Sequence, residues 1–138
     1  MSVKVTAGQR GDSPEFTAVL DRIAVPDPRG GPARCRPAAV LADKAYSSKA
    51  NRAYLRRRGI KAVIPEKVDQ AAARKRKGSA GGRPVGHDAE LYKDRNTVER
   101  CIGKLKQWRG IATRADKLSE SYEAGLLLAS VMIWIRST

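Results

Sequence analysis

The sequence predicts an α/β fold, and three observations predict it. Ala38-Ala39-Val40-Leu41-Ala42 and Ala62-Val63-Ile64 are compact apolar runs of strand length. Between them lies a segment opened by Ser47 or Ser48 and closed by Gly59, residue types that cap a helix at its start and end. A strand, a helix and a strand within about 27 residues form a βαβ unit, whose strands run parallel.

Each element has its own justification. Val3-Lys4-Val5-Thr6 alternates and predicts a short strand, followed by a turn over Ala7 to Gly11. Asp12 or Ser13 then caps a helix with Pro14 in its first turn, and Phe16, Val19, Leu20 and Ile23 give it one apolar face. Pro26 to Pro37 is rich in Pro and Gly and reads as a loop. Pro65 stops the second strand. Residues 65–89, and Lys67 to Asp88 within them, read as a mobile basic loop, because Arg74-Lys75-Arg76-Lys77 is followed by Gly78, Gly81, Gly82 and Pro84. Ala89 to Arg109 reads as one long helix and Gly110 to Leu118 as a connector. Ser119 caps a last helix reaching about Arg136. That helix is apolar nearly all round, as for a helix buried in a core or an interface.

The chain has 138 residues, enough for one domain with its own core. Apolar residues make up 41% and charged residues 30%, which is a globular composition. Twenty-eight Lys and Arg oppose 14 acids, a net charge of +14 that favours nucleic acid as partner. Two cysteines (Cys35, Cys101) and one histidine (His87) exclude zinc fingers, zinc ribbons and disulfide scaffolds. This cysteine usage fits a reducing cytosol. Met1 to Arg10 shows no signal-peptide apolar run, and the apolar stretch Ala124 to Ile135 is too short to span a bilayer, so no membrane association is expected.

Three features can carry chemistry. Asp43 follows the first apolar strand, and ligands in α/β sheets bind at the carboxyl ends of strands. A carboxylate there either holds a metal or caps the turn before Lys44. The second feature lies around Glu99. At 100° per residue, Tyr92, Arg95, Glu99 and Lys106 fall within a stripe about 60° wide, beside the apolar stripe of Leu91, Val98, Ile102 and Leu105. Glu99 should then be partly sheltered. One acid lined up with Tyr, Arg and Lys suits a metal-bound phosphodiester, or else forms an ion-paired surface stripe. The third feature is charge. Lys49 to Arg83 holds twelve Lys and Arg against Glu66 and Asp69, a net +10 suited to phosphate contacts, with Arg74, Lys75, Arg76 and Lys77 at its centre. Trp108 and Tyr46 read as packing residues, His87 alone is no metal site, and Gly81-Gly82 lacks the context of a phosphate loop.

Several segments resemble one family. Leu41-Ala42-Asp43-Lys44-Ala45-Tyr46, Asn51-Arg52, Arg57-Arg58-Gly59-Ile60 and Ile64-Pro65 resemble the second-aspartate region of bacterial insertion-sequence DDE transposases. Tyr92, Arg95, Glu99 and Lys106 are spaced as in the signature of that group. Trp108 to Arg114, Asp116-Lys117-Leu118, the closing apolar helix and Gly8-Gln9-Arg10-Gly11-Asp12-Ser13 resemble the insertion-sequence-five type. The resemblance covers essentially the whole chain. It implies an RNase H-like core, a mixed sheet with flanking helices, in which acids hold magnesium or manganese around the scissile phosphate. One ion activates water or a DNA 3′-hydroxyl, and the other stabilises the leaving oxygen.

By matching positions, the resemblance makes Asp43 the second acid and Glu99 the third, both metal ligands. It makes Tyr92, Arg95 and Lys106 phosphate-positioning groups. The partners implied are DNA, as element ends and target, and further transposase copies in a multimer, without a small-molecule substrate. The place implied is the bacterial cytoplasm, at the nucleoid. The first acid of the family precedes the Gly-Gln-Arg segment, and here no acid precedes Asp12. Residues 1–138 are therefore expected to be the C-terminal part of a catalytic domain whose first-acid strand is missing, with apolar surface left exposed and no cutting of DNA by the chain alone. A non-catalytic basic nucleic-acid binder, or a partner of full-length transposase, is the competing expectation.

Overall fold

The computed structural model describes residues 2–7, 9 and 11–136. Met1, Ser137, Thr138 and, within the Gly8-to-Ser13 segment, Gly8 and Arg10 lie outside the described residues, and with them part of the turn expected there. In chain order the elements are a 3-10 turn Ser13–Glu15, α1 (Phe16–Asp21), β1 (Ala39–Leu41), a 3-10 turn Lys44–Tyr46, α2 (Lys49–Arg57) and β2 (Lys61–Val63). Then come α3 (Val68–Arg76), a 3-10 turn Gly78–Gly81, α4 (Ala89–Lys93), α5 (Asn96–Lys106), α6 (Arg109–Thr113) and α7 (Ser119–Ile135). They form two compact units. One is Arg36–Arg95, and the other joins Met1–Cys35 to Asn96–Thr138.

The unit Arg36–Arg95 is built on the βαβ segment. β1 and β2 pair in parallel, with Ala39 opposite Lys61, Val40 opposite Ala62 and Leu41 opposite Val63. Ser48 caps α2, its Oγ accepting from the Asn51 backbone N–H at 3.1 Å. α2 packs on β2, and Leu55, Ile60, Val63 and Ile64 are buried. Gly59 turns the chain from helix to strand at φ +64°, a left-handed conformation that a side chain disfavours. Gly59→Val should cost about 1–2 kcal/mol in urea unfolding, and an unchanged midpoint would contradict this account of the turn.

Among the described residues the sheet has these two parallel strands, so the expected mixed sheet is not what forms. Val3 to Thr6, expected as a strand, has no ladder partner. The segment is held from its flanks instead: Ser2 Oγ donates to Val19 O at 2.6 Å, and Arg22 donates to Val3 O at 2.9 Å. The basic stretch 65–89, expected as a loop, holds α3 and a 3-10 turn. Ala71-Ala72-Ala73 with Gln70, Arg74 and Lys75 are strong helix formers, and their propensity outweighs the loop cue of the charge run and glycines. Residues 82–88 have no regular structure.

The single helix expected over Ala89 to Arg109 is two helices. Asp94 N–H donates to Leu91 O and Arg95 N–H to Tyr92 O, three residues back, so α4 ends in a tight turn. Asp94, Asn96 and Thr97 cluster at the break, and such side chains compete with the helical ladder for backbone groups. The expected connector contains α6, closed by Arg114 at φ +50°. α7 begins at Ser119 as expected, but its N-cap is Leu118 and no side chain caps it. The first turn likewise starts after Asp12 without a side-chain cap.

In the second unit α5 packs against α6 and α7, and α6 against α7. Phe16, Leu20, Leu105 and Ala129 are buried. Lys4 pairs with Glu15, Arg22 pairs with Glu123 at 3.0 Å, and the Tyr122 hydroxyl donates to Ile111 O at 3.0 Å. The apolar last helix, expected to be buried in a core or an interface, is mostly open in the single chain. Only its Ala129 is buried, while Leu128 and Trp134 are 69% and 70% exposed.

Candidate functional site

Asp43 sits two residues beyond β1, at the carboxyl end of the parallel pair. The hydrogen bond from Ala42 N–H to Val63 O at 3.3 Å is the last tie of that segment to β2. Asp43 itself is extended and exposed. Its Oδ1 accepts from Ala45 N–H at 2.8 Å and so caps the Lys44–Tyr46 turn. Of the two sequence readings of Asp43, the turn cap is the one present in the geometry. It caps a turn, and it stands where α/β sheets place ligand-binding carboxylates. Among the described residues Oδ2 has no hydrogen-bond partner.

Glu99 lies near the start of α5 and is exposed. The shelter expected from Val98 and Ile102 is absent, because these are themselves 56% and 45% exposed. Of the predicted apolar stripe on α5 only Leu105 is buried. Lys106, seven residues on, shares the face of Glu99, about 10 Å farther along the helix axis.

Tyr92 and Arg95 are brought together. Tyr92 is on α4, Arg95 follows in the turn, and the guanidinium lies 5.7 Å from the ring centroid. A cation over a ring at this range is worth about 0.5–1 kcal/mol at an exposed site. His87 meets the same ring edge-on, at 5.0 Å between centroids and 63° between planes. Sequence reasoning set His87 aside as a lone non-ligand and missed this contact, which no periodicity announces. Asp88 fixes the base of α4. It accepts from Leu91 N–H at 3.0 Å and pairs with Lys61 at 2.8 Å, and the Lys61 hydrogen bond above all holds its carboxyl below the ordinary value.

The break before α5 divides the predicted stripe. Tyr92 and Arg95 belong to the unit Arg36–Arg95, with Asp43, while Glu99 and Lys106 belong to the other. One continuous helical stripe over the four residues, as the wheel predicted, is not what forms. Among the described residues no three His, Cys, Asp or Glu gather closely enough to hold a metal ion. A magnesium ion is normally held by more than one carboxylate, or by one with substrate phosphates. The described donor groups therefore do not fit a resident metal by themselves.

The basic cluster divides by environment. Arg74 is half-buried and forks onto Glu66, its Nε 3.2 Å from Oε1 and its second nitrogen 3.0 Å from Oε2. This bidentate pair ties the segment after β2 to α3. Arg74 is thus spent on a fold contact, contrary to its expected role at a phosphate. Arg52 is likewise turned inward, donating to Ile64 O at 2.8 Å. Lys75, Arg76 and Lys77 are exposed.

The Arg74 hydrogen bond holds the Glu66 carboxyl below its ordinary value of 4.5. A carboxylate lowered by folding contributes stability above its unfolded value, and that contribution fades as pH falls through the folded value. The stability gap between wild type and Glu66→Gln should therefore close on acidification below about pH 4.5. Urea midpoints at neutral and acidic pH check this, and a gap that widens in acid would contradict it.

Against known proteins, the chain is 29% identical over 136 residues to a Brucella ovis protein provisionally named a transposase for insertion sequence element IS6501. That likeness spans 99% of this chain and 88% of the relative. No solved structure matches. No helix among the described residues is long and apolar enough to cross a membrane. Residues 1–134 match the transposase DDE domain, and by that match the chain belongs to this family, with a role in DNA transposition.

Proposed function

We propose that this chain is the DNA-binding, acid-bearing part of an insertion-sequence-five type transposase with an RNase H-like core. Asp43 and Glu99 supply two of its metal-binding carboxylates, and Tyr92, Arg95 and Lys106 position phosphates at the cut end. The observation that carries this reading is Asp43 at the carboxyl end of a parallel strand pair, in a chain that also has the Tyr92, Arg95, Glu99 and Lys106 spacing. The stacked Tyr92–Arg95 pair supports the phosphate role, since a guanidinium held by a ring keeps its forked donors pre-organised. Lys75, Arg76 and Lys77 contact the DNA backbone.

In that family divalent ions stabilise the attacking and leaving oxygens of phosphodiester exchange. The residues of this chain bind and orient DNA, and cleavage needs a further carboxylate beside Asp43 and Glu99. A second reading is favoured by the absence of a three-donor group among the described residues: a basic binder that holds DNA without cutting it.

One experiment separates them. A carboxylate-bearing catalytic segment of a related transposase is mixed with the chain, and Mg2+-dependent cleavage of element-end DNA is followed. On the first reading cleavage appears and is lost in both Asp43→Asn and Glu99→Gln. Cleavage indifferent to both substitutions rejects the assigned acids, and binding without cleavage leaves the second reading.

A further inference from the structure

Three donor groups converge on one ring. Tyr92 is half-buried on α4, with the Arg95 guanidinium 5.7 Å from its ring centroid and the exposed His87 imidazole edge-on at 5.0 Å. All three belong to the unit Arg36–Arg95. Among the described residues neither nitrogen of the imidazole nor the Tyr92 hydroxyl has a hydrogen-bond partner. These polar atoms are open to a group arriving from outside.

The acids nearest in the chain are engaged elsewhere. Asp88 accepts from Leu91 N–H with one oxygen and pairs with Lys61 through the other. Glu90 gives both oxygens to Lys93. Asp94 falls about 200° round the turn from Tyr92, on the opposite side, whereas Arg95 falls about 60° away. The charged and titratable groups facing His87 are therefore Tyr92, the Arg95 guanidinium over the same ring, and the Asp88–Lys61 pair. A cationic imidazole here meets one acid, and both oxygens of that acid are already taken.

We propose that His87 is a third phosphate-binding group beside Tyr92 and Arg95, and that it binds phosphate in its protonated form. The inference rests on the phosphate role given above to Tyr92 and Arg95. A phosphodiester oxygen at the Tyr92 hydroxyl comes within reach of two charged donors, the guanidinium fork and the imidazolium N–H. A proton on His87 adds one cation to the DNA-binding surface, and by linkage DNA favours that proton equally. His87 is the single histidine of the chain, and at ordinary values no other type of side chain changes charge between about pH 5 and 8. Proton uptake on binding in that window therefore reports on this one residue.

Fluorescence anisotropy of the full chain on a labelled DNA duplex, at about pH 5.5 and 7.5 and several salt concentrations, tests it. Wild type should bind about three- to fivefold more tightly at the lower pH. Its slope of log affinity against log salt should steepen there by about 0.9, one further phosphate contact. His87→Gln and His87→Phe should each lose both changes. His87→Phe keeps a ring against Tyr92, so its loss is not one of packing. Circular dichroism confirms that each variant is folded.

Equal affinity at the two pH values overturns the proposal. A pH effect that survives in His87→Gln does so too, because it puts the proton elsewhere. So does a pH effect without a change in salt slope, which puts His87 away from the phosphates. Arg95→Ala tells this failure from failure of the Tyr92–Arg95 role. If Arg95→Ala lowers affinity and slope at the higher pH and the His87 effects are absent, the role of His87 alone falls. If Arg95→Ala keeps the wild-type affinity and slope, the phosphate role of the pair falls, and that of His87 with it.

Discussion

Supercoiled plasmid incubated with the purified chain and Mg2+ is expected to stay uncut, at the level of a protein-free control. Phosphodiester exchange on two ions needs a group of carboxylates that holds both and fixes their separation. Asp43 offers one oxygen beyond the one that caps the Lys44–Tyr46 turn, and Glu99 lies on an exposed helix face. No third donor joins either among the described residues. Glu99→Gln is therefore expected to change nothing in this assay. A Mg2+-dependent nick that disappears in Glu99→Gln would overturn the expectation and make the chain a nuclease by itself. Removing the ion with a chelator is the internal control, because contaminating activity need not follow Glu99.

Binding to DNA is expected to be strong at low salt and to collapse as salt rises. Each phosphate neutralised by Lys or Arg contributes about 0.9 to the slope of log affinity against log salt. With about six such contacts, affinity falls roughly a thousandfold between 50 and 200 mM salt. Changing Lys75, Arg76 and Lys77 together to Ala should lower the slope by about 2 to 3 and weaken binding to all sequences alike. Asp43→Asn and Glu99→Gln should leave the slope unchanged. Fluorescence anisotropy on a labelled duplex at several salt concentrations reads both. A triple variant with the wild-type slope would show that the exposed end of α3 is not at the phosphates. Arg74→Ala is a poor probe of the same question, since it breaks the fork to Glu66 and loosens the segment after β2.

The βαβ segment was legible in the sequence because every local signal there agreed. The apolar runs, the Ser48 cap and the Gly59 stop all favour one arrangement, and the observed parallel register follows from it. The regions that misled were those where two signals competed. Around Ala71 to Lys77 the charge run suggested a solvated loop, yet alanine and arginine also form helices, and the Glu66 fork anchors this one. From Ala89 to Arg109 the apolar period continued through Asp94 and Asn96, and only the hydrogen-bonding habits of those side chains hinted at a break.

For the site, the position of Asp43 could be read from the strand before it. The exposure of Glu99 could not, because it depends on what packs against Val98 and Ile102. The His87 contact with Tyr92 depends on the path of the irregular segment before α4, which carries no repeat to read.

A ladder of two parallel strands is all margin. Among the described residues β1 and β2 each have one neighbour, so each leaves an outer row of peptide groups able to template further strands. The sequence places almost nothing on β1 to prevent this: Ala39, Val40 and Leu41 carry no charge, whereas β2 opens with Lys61. Protection against edge-to-edge aggregation therefore falls to the +14 of the whole molecule, which keeps copies apart while that charge is unscreened. The same ions expected to release this protein from DNA also weaken its colloidal defence, so the conditions that would strip it cleanly from nucleic acid are those in which its free strand edges are most adhesive.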